Sequence, residues 1–431
     1  MNDINRQLFD FIEKSPSAFH AVKTVSDSLK AGGYCEFFEN RPWSIEYGGK
    51  YFVKRNDSSI IAFRVPEEVP VGFMIMSAHS DSPTYKLKDN TMTASAGYAR
   101  FNVERYGGMI ACSWMDRPLS IAGRVTVRKD GRIVSGLVDA KRDICLIPGV
   151  AIHMDRTVND GKKFDPNIDM LPLAGIGDAD IDGIIAELAG CDKQDILSKD
   201  MFLYPRERGC EWGMNNEFIS SPRLDDLQCV FGCMKGFISA GASRAMPVLA
   251  VFDNEEVGSG TKQGADSTFL DDTLLRVCEA LNISSGEYRA KLANSFMVSA
   301  DNAHAVHPNH PEYADRNDRP MINGGIVIKH NANQKYTTDS VSSAVFSELC
   351  SANGVKVQHF TNRGNIAGGS TLGNISNAHV SLNTVDIGLP QLAMHSCYET
   401  AGSEDTGYLI KAAEAFFSAS LETDEIGIKI V

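Results

Sequence analysis

The sequence predicts an α/β protein in which a largely parallel or mixed sheet is covered by helices on both faces and interrupted by a β-rich insertion. In residues 1–86 and 214–431, apolar strand-like runs alternate with helical patterns, as they do in sheets of this class. In residues 87–213, short strand-like runs lead into an irregular, partly helical stretch. We therefore predict one domain built from the two outer segments and a second domain inserted between them.

Two helical patterns open the chain, and two strand patterns follow them. Apolar residues recur on one face between Leu8 and Ile12, and Ser15-Pro16 supplies the cap and first-turn proline of a second helix that ends near Gly32. The runs IIAFRV and VGFMIMSAHSD then predict strands. The second run is almost wholly apolar until it meets His79, which is typical of a buried central strand.

The inserted segment reads as a series of short strands. The runs GGMIACSWM, LSIAGRVTVRKDGRIVSGLVDA and DICLIPGVAIHM have strand character, and Lys129-Asp130-Gly131 predicts a hairpin turn within the second. After residue 216 the α/β alternation returns. Helices are predicted after SSPRL and around residues 270–281, 339–353 and 403–421, and strands at MPVLAVF, SFMVSA, GGIVIK, VKVQHFT and SLNTVDIG.

Composition excludes several classes of function. The chain has 42 Lys+Arg against 55 Asp+Glu, a net charge of -13, which argues against binding to nucleic acid. No run approaches about 20 apolar residues, so we expect no contact with a membrane, and the charged N-terminus lacks a signal-peptide pattern. The ten cysteines are scattered without a C-x-x-C pair, as in reduced proteins, and we expect a cytoplasmic location.

Five polar clusters lie where apolar runs end, far apart in the sequence. They are His79-Ser80-Asp81, Leu224-Asp225-Asp226, Asp253-Asn254-Glu255-Glu256, Ser299-Ala300-Asp301 and Met394-His395-Ser396. Each alone is typical of a helix cap, a core histidine or a solvated acidic turn. Strands of one sheet bring such ends to one edge, where the carboxylates would repel one another unless cations neutralise them. Histidine, Asp and Glu side chains suit zinc, so the sequence predicts a site for two divalent ions.

Two of these clusters suggest a division of roles. Consecutive side chains on extended backbone point to opposite sides, so one of Glu255 and Glu256 can bind a metal while the other faces the attacking water. Asp81 lies two residues after His79, on the same side of the strand, where it can orient that histidine from behind.

Seven motifs occur in the same order as in the aspartyl aminopeptidase family of dinuclear zinc exopeptidases, which this sequence resembles. They are SAHSDSP, SPRLDDL, DNEEVGS, SADNAHAVHPN, GGIVIKHNANQKY, GGST and QLAMHSCYE. The resemblance extends from about His20 to about Gly407 and includes the insertion through GVAIHMDR. Seven motifs in one order make this resemblance highly specific.

The resemblance implies two zinc ions, for which cobalt or manganese can substitute. It places His79, Asp225 and Asp301 around one ion. It places Asp225, Glu256 and His395 around the other, so that Asp225 bridges the two.

The resemblance also implies roles for residues that are not in these sets. Glu255 corresponds to the general base, and Asp81 to the carboxylate that supports the first histidine. His153, in the insertion, corresponds to a histidine that reaches the active site of a partner subunit, either to stabilise the oxyanion or as a further metal ligand. Lys329 corresponds to a lysine near the pocket for the substrate's first side chain.

Two further expectations concern loops near the site. The resemblance implies a cis peptide bond from Asp225 into Asp226. His304 and His307, in DNAHAVHPN, form either a further metal pair or, as we favour, support for the loop of Asp301 and a lining for the substrate pocket. We assign His307 to substrate binding.

The function implied is that of a metalloaminopeptidase that removes N-terminal residues, Asp or Glu above all, from short peptides with a free N-terminus. The fold implied is a three-layer α/β/α zinc-peptidase domain with an inserted β-rich dimerisation or oligomerisation domain, assembled as a homododecamer of dimers. Three alternatives stay open. They are a leucine-type aminopeptidase of neutral preference, another dinuclear amidohydrolase, and an inactive self-assembling cargo protein.

Overall fold

The structure is a computed structural model that describes residues 2–431. Its helices are α1 (Asp3–Glu13), α2 (Ala18–Ala31), α3 (Ile181–Ala189), α4 (Leu224–Ser239), α5 (Phe269–Ala280), α6 (Ser285–Ala293), α7 (Ser340–Ala352), α8 (Leu372–Ser376) and α9 (Asp405–Ser418). Short 3₁₀ turns lie at Ala111–Trp114, Lys193–Asp195, Glu255–Val257 and Pro311–Tyr313.

The strands follow in chain order. They are β1 (Cys35–Phe37), β2 (Lys50–Arg55), β3 (Ser59–Arg64), β4 (Phe73–His79), β5 (Thr84–Ser95), β6 (Tyr98–Tyr106), β7 (Pro118–Lys129), β8 (Arg132–Asp139), β9 (Cys145–Leu146), β10 (Leu173–Ile176), β11 (Ile196–Pro205), β12 (Cys210–Trp212), β13 (Phe218–Ser221), β14 (Met246–Phe252), β15 (Phe296–Ala300), β16 (Ala303–His304), β17 (Ile326–His330), β18 (Val357–Thr361), β19 (Asn383–Gly388), β20 (Pro390–Leu392), β21 (Glu399–Gly402), β22 (Leu421–Thr423) and β23 (Ile428–Ile430).

A mixed sheet lies at the centre of the molecule. Across the described residues its strand order is β1-β2-β3-β14-β4-β15-β19-β17-β18, and the four central strands β14, β4, β15 and β19 run parallel. Every residue of β4 is buried, because the strand is covered on both faces. Met74 and Met76 face the helices α1, α2, α4, α7 and α9, whereas Phe73 and Ile75 face α5, α6 and α8. The predicted three-layer α/β/α fold is therefore confirmed.

The inserted segment forms a sheet of its own. Its antiparallel order is β11-β5-β6-β10-β9-β7-β8, and β11 also pairs with β7, so that these strands close into a barrel with β8 outside. The predicted hairpin turn is confirmed, since Lys129 pairs with Arg132 across Asp130-Gly131. The division at residues 87 and 213 stays our proposal.

Several local predictions differ from the structure. Within the run GGMIACSWM, residues Ala111–Trp114 form a 3₁₀ turn rather than a strand. The run DICLIPGVAIHM keeps only β9, because Pro148-Gly149 ends the pairing. The second helix has Ser17 rather than Ser15 at its N-cap position, and the Ser17 side chain makes no capping hydrogen bond. Helix α6 was not predicted, because its sequence SGEYRAKLA is mostly polar and buries only Tyr288.

A third sheet, of order β12-β13-β21-β20-β16, packs beside the central one and leads into α4. Among the described helices, none is both long enough and apolar enough to cross a membrane.

Candidate metal centre

Three neighbouring parallel strands bring most of the predicted ligands to one edge. His79 is the last residue of β4, Glu255 and Glu256 lie in the turn that follows β14, and Asp301 directly follows β15. Because β4 lies between β14 and β15, these carboxyl ends are adjacent. This is the edge at which open α/β sheets place their functional residues.

The third sheet positions the remaining two predicted ligands, Asp225 and His395. Asp225 lies at the start of α4, just after β13, and His395 lies in the turn between β20 and β21. Strands β13 and β21 pair with each other, which holds the two segments side by side. The peptide bond between Asp225 and Asp226 is cis, as the resemblance implies.

Asp225 presents one carboxylate oxygen to each histidine. Its Oδ1 lies 3.4 Å from Nε2 of His79, and its Oδ2 lies 3.4 Å from Nε2 of His395. Nε2 of His79 is also 3.9 Å from Oδ1 of Asp301, and Nε2 of His395 is 3.4 Å from Oε2 of Glu256. The side chains therefore form two groups around a shared aspartate, and within each group the ligand atoms lie within 4.8 Å of one another.

The polar atoms of these groups fit metal ions. Oδ1 of Asp225, Oδ1 of Asp226 and Oε1 of Glu256 are buried, and none accepts a hydrogen bond from any described residue. A buried carboxylate oxygen without a partner carries a desolvation cost that a bound cation removes. Imidazole nitrogens and carboxylate oxygens in one cluster are donors that zinc accepts.

The electrostatics point to the same conclusion. Burial raises the pKa of Glu255 to about 8, with the charge of Asp301 adding to it and that of His79 opposing it. Burial, with the negative charge of Asp225, also raises the pKa of Glu256. Burial raises the pKa of Asp225 less than its contacts with His395 and His79 lower it, so that this carboxyl stays ionised. Without cations the two crowded glutamates therefore favour their protonated forms, and bound divalent cations would take the place of those protons.

The backbone at Glu255 and Glu256 differs from the extended conformation predicted for it. They lie in a 3₁₀ turn rather than on extended backbone, because Asn254 adopts the left-handed conformation and ends the strand before them. Both carboxylates have an oxygen within 4.8 Å of a ring nitrogen of His79, but only that of Glu256 also groups with His395.

Asp81 holds the back of the cluster. Nδ1 of His79 lies 3.3 Å from Oδ1 of Asp81 and 3.1 Å from its backbone oxygen, which leaves Nε2 to face the other ligands. The Asp81 carboxylate also accepts the backbone N–H groups of Glu255 and Glu256, each at 3.2 Å. Tyr106, from the inserted barrel, donates its hydroxyl to Oδ2 of Asp81 at 2.6 Å. One carboxylate thus connects His79, the glutamate turn and the inserted barrel.

Lys329 lies beside the cluster as a buried cation. It is 3% exposed, its Nζ is 3.3 Å from Oδ2 of Asp301, and it lies 5.5 Å from the ring centre of Tyr336. Burial lowers the pKa of its ammonium, but the surrounding groups, Asp301 first among them, together outweigh burial and the pKa lies above its ordinary value. His304 is close enough that Lys329 and Asp225 both shift its pKa, which burial lowers overall.

Two predicted residues lie apart from this group. His307 is exposed in the loop after β16, where its Nδ1 accepts the N–H of Asn309 and its ring lies 5.4 Å from that of His310. His153 is exposed in the loop after β9, and no hydrogen bond or ion pair joins it to the cluster within residues 2–431. Their assigned roles stay predictions.

Sequence reasoning missed three residues that the structure brings to the centre. Asp226 groups with His79 and accepts its backbone N–H, Tyr106 binds Asp81, and Glu399 binds the backbones of two ligand segments. The doubled aspartate in SPRLDDL and the acidic residue that closes QLAMHSCYE are signals that could have identified the first and last. Tyr106 gave no signal, because its contact crosses from the inserted barrel.

Comparison with known proteins identifies relatives along the whole chain. Residues 11–417 match the model of the family described as "Aminopeptidase I zinc metalloprotease (M18)". A relative from Clostridium acetobutylicum, named "Probable M18 family aminopeptidase 2", is 47% identical over 424 residues, which cover 96% of this chain and 98% of the relative.

Solved structures agree with that match. A chain from the cryo-EM structure of the Ape4 and Nbr1 complex superposes with a TM-score of 0.92 at 35% identity, covering 96% of this chain and 85% of that one. A chain from the structure of the S. cerevisiae mApe1 dodecamer superposes with a TM-score of 0.85 at 29% identity, covering 96% of each.

Proposed function

The chain belongs to the M18 family of zinc aminopeptidases, and on that premise we propose that it uses two zinc ions to remove acidic N-terminal residues from unblocked peptides. The observation that carries the proposal is the position of Asp225, with one oxygen toward His79 and the other toward His395. A single carboxylate that offers one oxygen to each of two ligand sets can hold two metal ions close together, as they are in dinuclear hydrolases.

The residues that would hold the ions follow from the two groups around Asp225. His79 and Asp301 complete one set, and Glu256 and His395 complete the other. Bound zinc would lower the pKa of a water molecule toward neutrality and polarise the carbonyl of the first peptide bond. Cobalt or manganese, which accept similar donors, are possible substitutes.

Glu255 is the proposed base. It belongs to the cluster near His79 but not to the group around His395, so its carboxylate is free to take a proton from the attacking water and deliver it to the leaving amine. The Asp81 carboxylate accepts the backbone N–H groups of both Glu255 and Glu256. It thereby fixes the position of the proposed base relative to that of the proposed ligand.

Lys329 supports the acidic preference. The protein carries a net charge of -13, so its long-range field opposes an acidic substrate, and only a local cation can reverse that. Lys329 is a buried ammonium at the edge of the cluster, already 3.3 Å from Asp301. A charge-assisted hydrogen bond from it to a substrate carboxylate would contribute about 1.5–3 kcal/mol.

We expect Lys329→Met to abolish the preference for acidic substrates. The wild type should cleave Asp and Glu substrates with a higher kcat/KM than Leu substrates, by roughly 10- to 150-fold, and the variant should show no such difference. The measurement is kcat/KM on matched aspartyl, glutamyl and leucyl substrates. The control is Lys335→Met, which changes an exposed lysine in the loop that follows β17. A wild type that prefers leucyl substrates would contradict the acidic assignment and leave the two-metal mechanism intact.

His153 is proposed to act in a partner subunit, where it would stabilise the oxyanion or bind metal. Its loop exposes apolar side chains as well, since Ile152 is 46% and Met154 is 83% exposed. Exposed apolar residues that surround a polar one favour contact with another protein surface. The proposed partner is a second copy of this chain, within a homododecamer built from dimers.

Complementation tests this role. His153→Phe and Glu255→Gln should each be inactive alone, whereas an exchanged mixture of the two should regain activity. In a twofold dimer with random exchange, about a quarter of the sites would carry neither defect. Mixtures that exchange subunits, shown by labelling, and remain inactive would place His153 in the site of its own chain.

The proposed location is the cytoplasm, and the proposed substrates are short peptides with a free N-terminus. Hydrolysis of aminoacyl p-nitroanilides with and without an N-acetyl group tests the reaction type. An aminopeptidase loses activity on the blocked form, whereas a general amidohydrolase keeps it and an inactive cargo protein cleaves neither.

A further inference from the structure

Glu399 lies beside two of the ligand segments but belongs to neither ligand set. It is the first residue of β21 and pairs with Ser221, the last residue of β13. Asp225 follows four residues after Ser221, and His395 precedes Glu399 by four residues. Glu399 therefore lies at the junction of the two segments that carry these ligands.

Its carboxylate binds both segments at once. Oε2 accepts the backbone N–H of Asp225 at 3.0 Å, and Oε1 accepts the backbone N–H of His395 at 2.6 Å. The side chain is 2% exposed, and within the described chain no Lys, Arg or His side-chain nitrogen lies within 4.0 Å of it. Each oxygen thus serves one ligand backbone.

The backbone of His395 needs such a constraint. Its φ is 66°, in the left-handed region that residues other than glycine rarely adopt. Its N–H is held by Glu399, and its carbonyl accepts the N–H of Ile110 from the inserted domain at 3.1 Å. Loss of the first contact would let the histidine turn away from Asp225.

The other histidine is held in a related way. The backbone N–H of His79 donates to Oδ2 of Asp226 at 3.1 Å, and Asp226 is the direct neighbour of Asp225. Both histidines are therefore connected through a buried carboxylate to the segment of the shared aspartate.

We infer that Glu399 is a positioning residue that sets His395 against Asp225 and so determines the affinity of the ion bound by Asp225, Glu256 and His395. The inference rests on the proposed two-zinc function. It predicts that the two ions are affected unequally. Glu399 contacts the backbones of both Asp225 and His395 in one ligand set, but only that of Asp225 in the set that contains His79 and Asp301.

The test is Glu399→Gln in the full-length protein, with zinc affinities measured by competition with a chromophoric chelator. The amide keeps one acceptor oxygen and turns an NH₂ group toward the other N–H, so one of the two contacts is lost. We expect one zinc equivalent to bind about 10- to 100-fold more weakly, the other to be nearly unchanged, and activity to recover as free zinc is raised.

The matched control is Asp405→Asn. Asp405 is also a buried carboxylate that accepts two backbone N–H groups, those of Asn323 and Gly325, but it lies outside both ligand sets. It should lower thermal stability without changing either zinc affinity. Glu399→Asp, whose shorter side chain cannot reach both backbones, should reproduce the selective loss if the amide variant folds poorly.

Two results would overturn the inference. One is a Glu399→Gln protein with both zinc affinities unchanged, and the other is equal weakening of both equivalents. A wild-type protein that binds fewer than two zinc ions would instead contradict the proposed function, and the two failures are therefore distinguishable.

Discussion

Replacement of Glu255 by Gln should remove activity and leave both zinc ions in place. The carboxylate is not needed to complete either proposed ligand set. In the proposed mechanism it takes the proton of the attacking water. Loss of a general base lowers kcat by about 10²- to 10⁴-fold or more. The checks are kcat on an unblocked aminoacyl substrate and zinc content by plasma mass spectrometry on the same preparation.

Glu256→Gln is the matched control, because it makes the same chemical change one residue away. It should lose one zinc equivalent, since Glu256 groups with Asp225 and His395. If Glu255→Gln lost a zinc ion and Glu256→Gln kept both, the roles of the two glutamates would be reversed.

Replacement of Asp225 by Asn should have the largest effect on metal binding. The amide offers one acceptor oxygen where two are needed, so neither set can be completed as before. We expect both zinc affinities to fall and kcat/KM to drop by about 10³-fold or more at zinc concentrations that saturate the wild type.

Two observations separate this effect from unfolding. The metal-free variant should still unfold in one cooperative transition, at a temperature slightly below that of the metal-free wild type, because the change removes the contacts of the ionised carboxylate with His395 and His79. Asp253→Asn, a buried aspartate at the end of β14 that belongs to neither ligand set, should keep both zinc ions. Full zinc binding by Asp225→Asn would contradict the shared-ligand geometry.

The sequence predicted the class of fold because its strongest patterns were those of the central sheet. A strand such as β4, which is almost wholly apolar until it meets His79, is expected to be buried on both faces, and the polar clusters identified the ends of β4, β14 and β15. The shape of the insertion was less accessible. The barrel depends on pairing between β11 and β7, which are far apart in the sequence, and the loop after β9 has apolar residues without strand pairing.

The candidate site, like the fold, could be predicted from the sequence only in part. Its donor residues could be identified because each lies in a motif at the end of an apolar run. The contacts of the supporting residues Tyr106 and Glu399 could not be predicted from the sequence. Each residue reaches the cluster from a sheet other than the central one, through hydrogen bonds that leave no periodic pattern in the sequence. The conformation of the glutamate turn was also beyond the sequence argument, which assumed extended backbone where Asn254 is left-handed.

The most direct test of the account is a zinc titration of metal-free protein, with binding and hydrolysis of an unblocked aspartyl p-nitroanilide followed together. Two groups of ligand atoms around Asp225 predict that zinc binding saturates at two equivalents per chain and that full activity requires both. The N-acetylated substrate should remain uncleaved throughout. Saturation of binding and activity at a single equivalent would contradict the dinuclear site at the centre of this proposal.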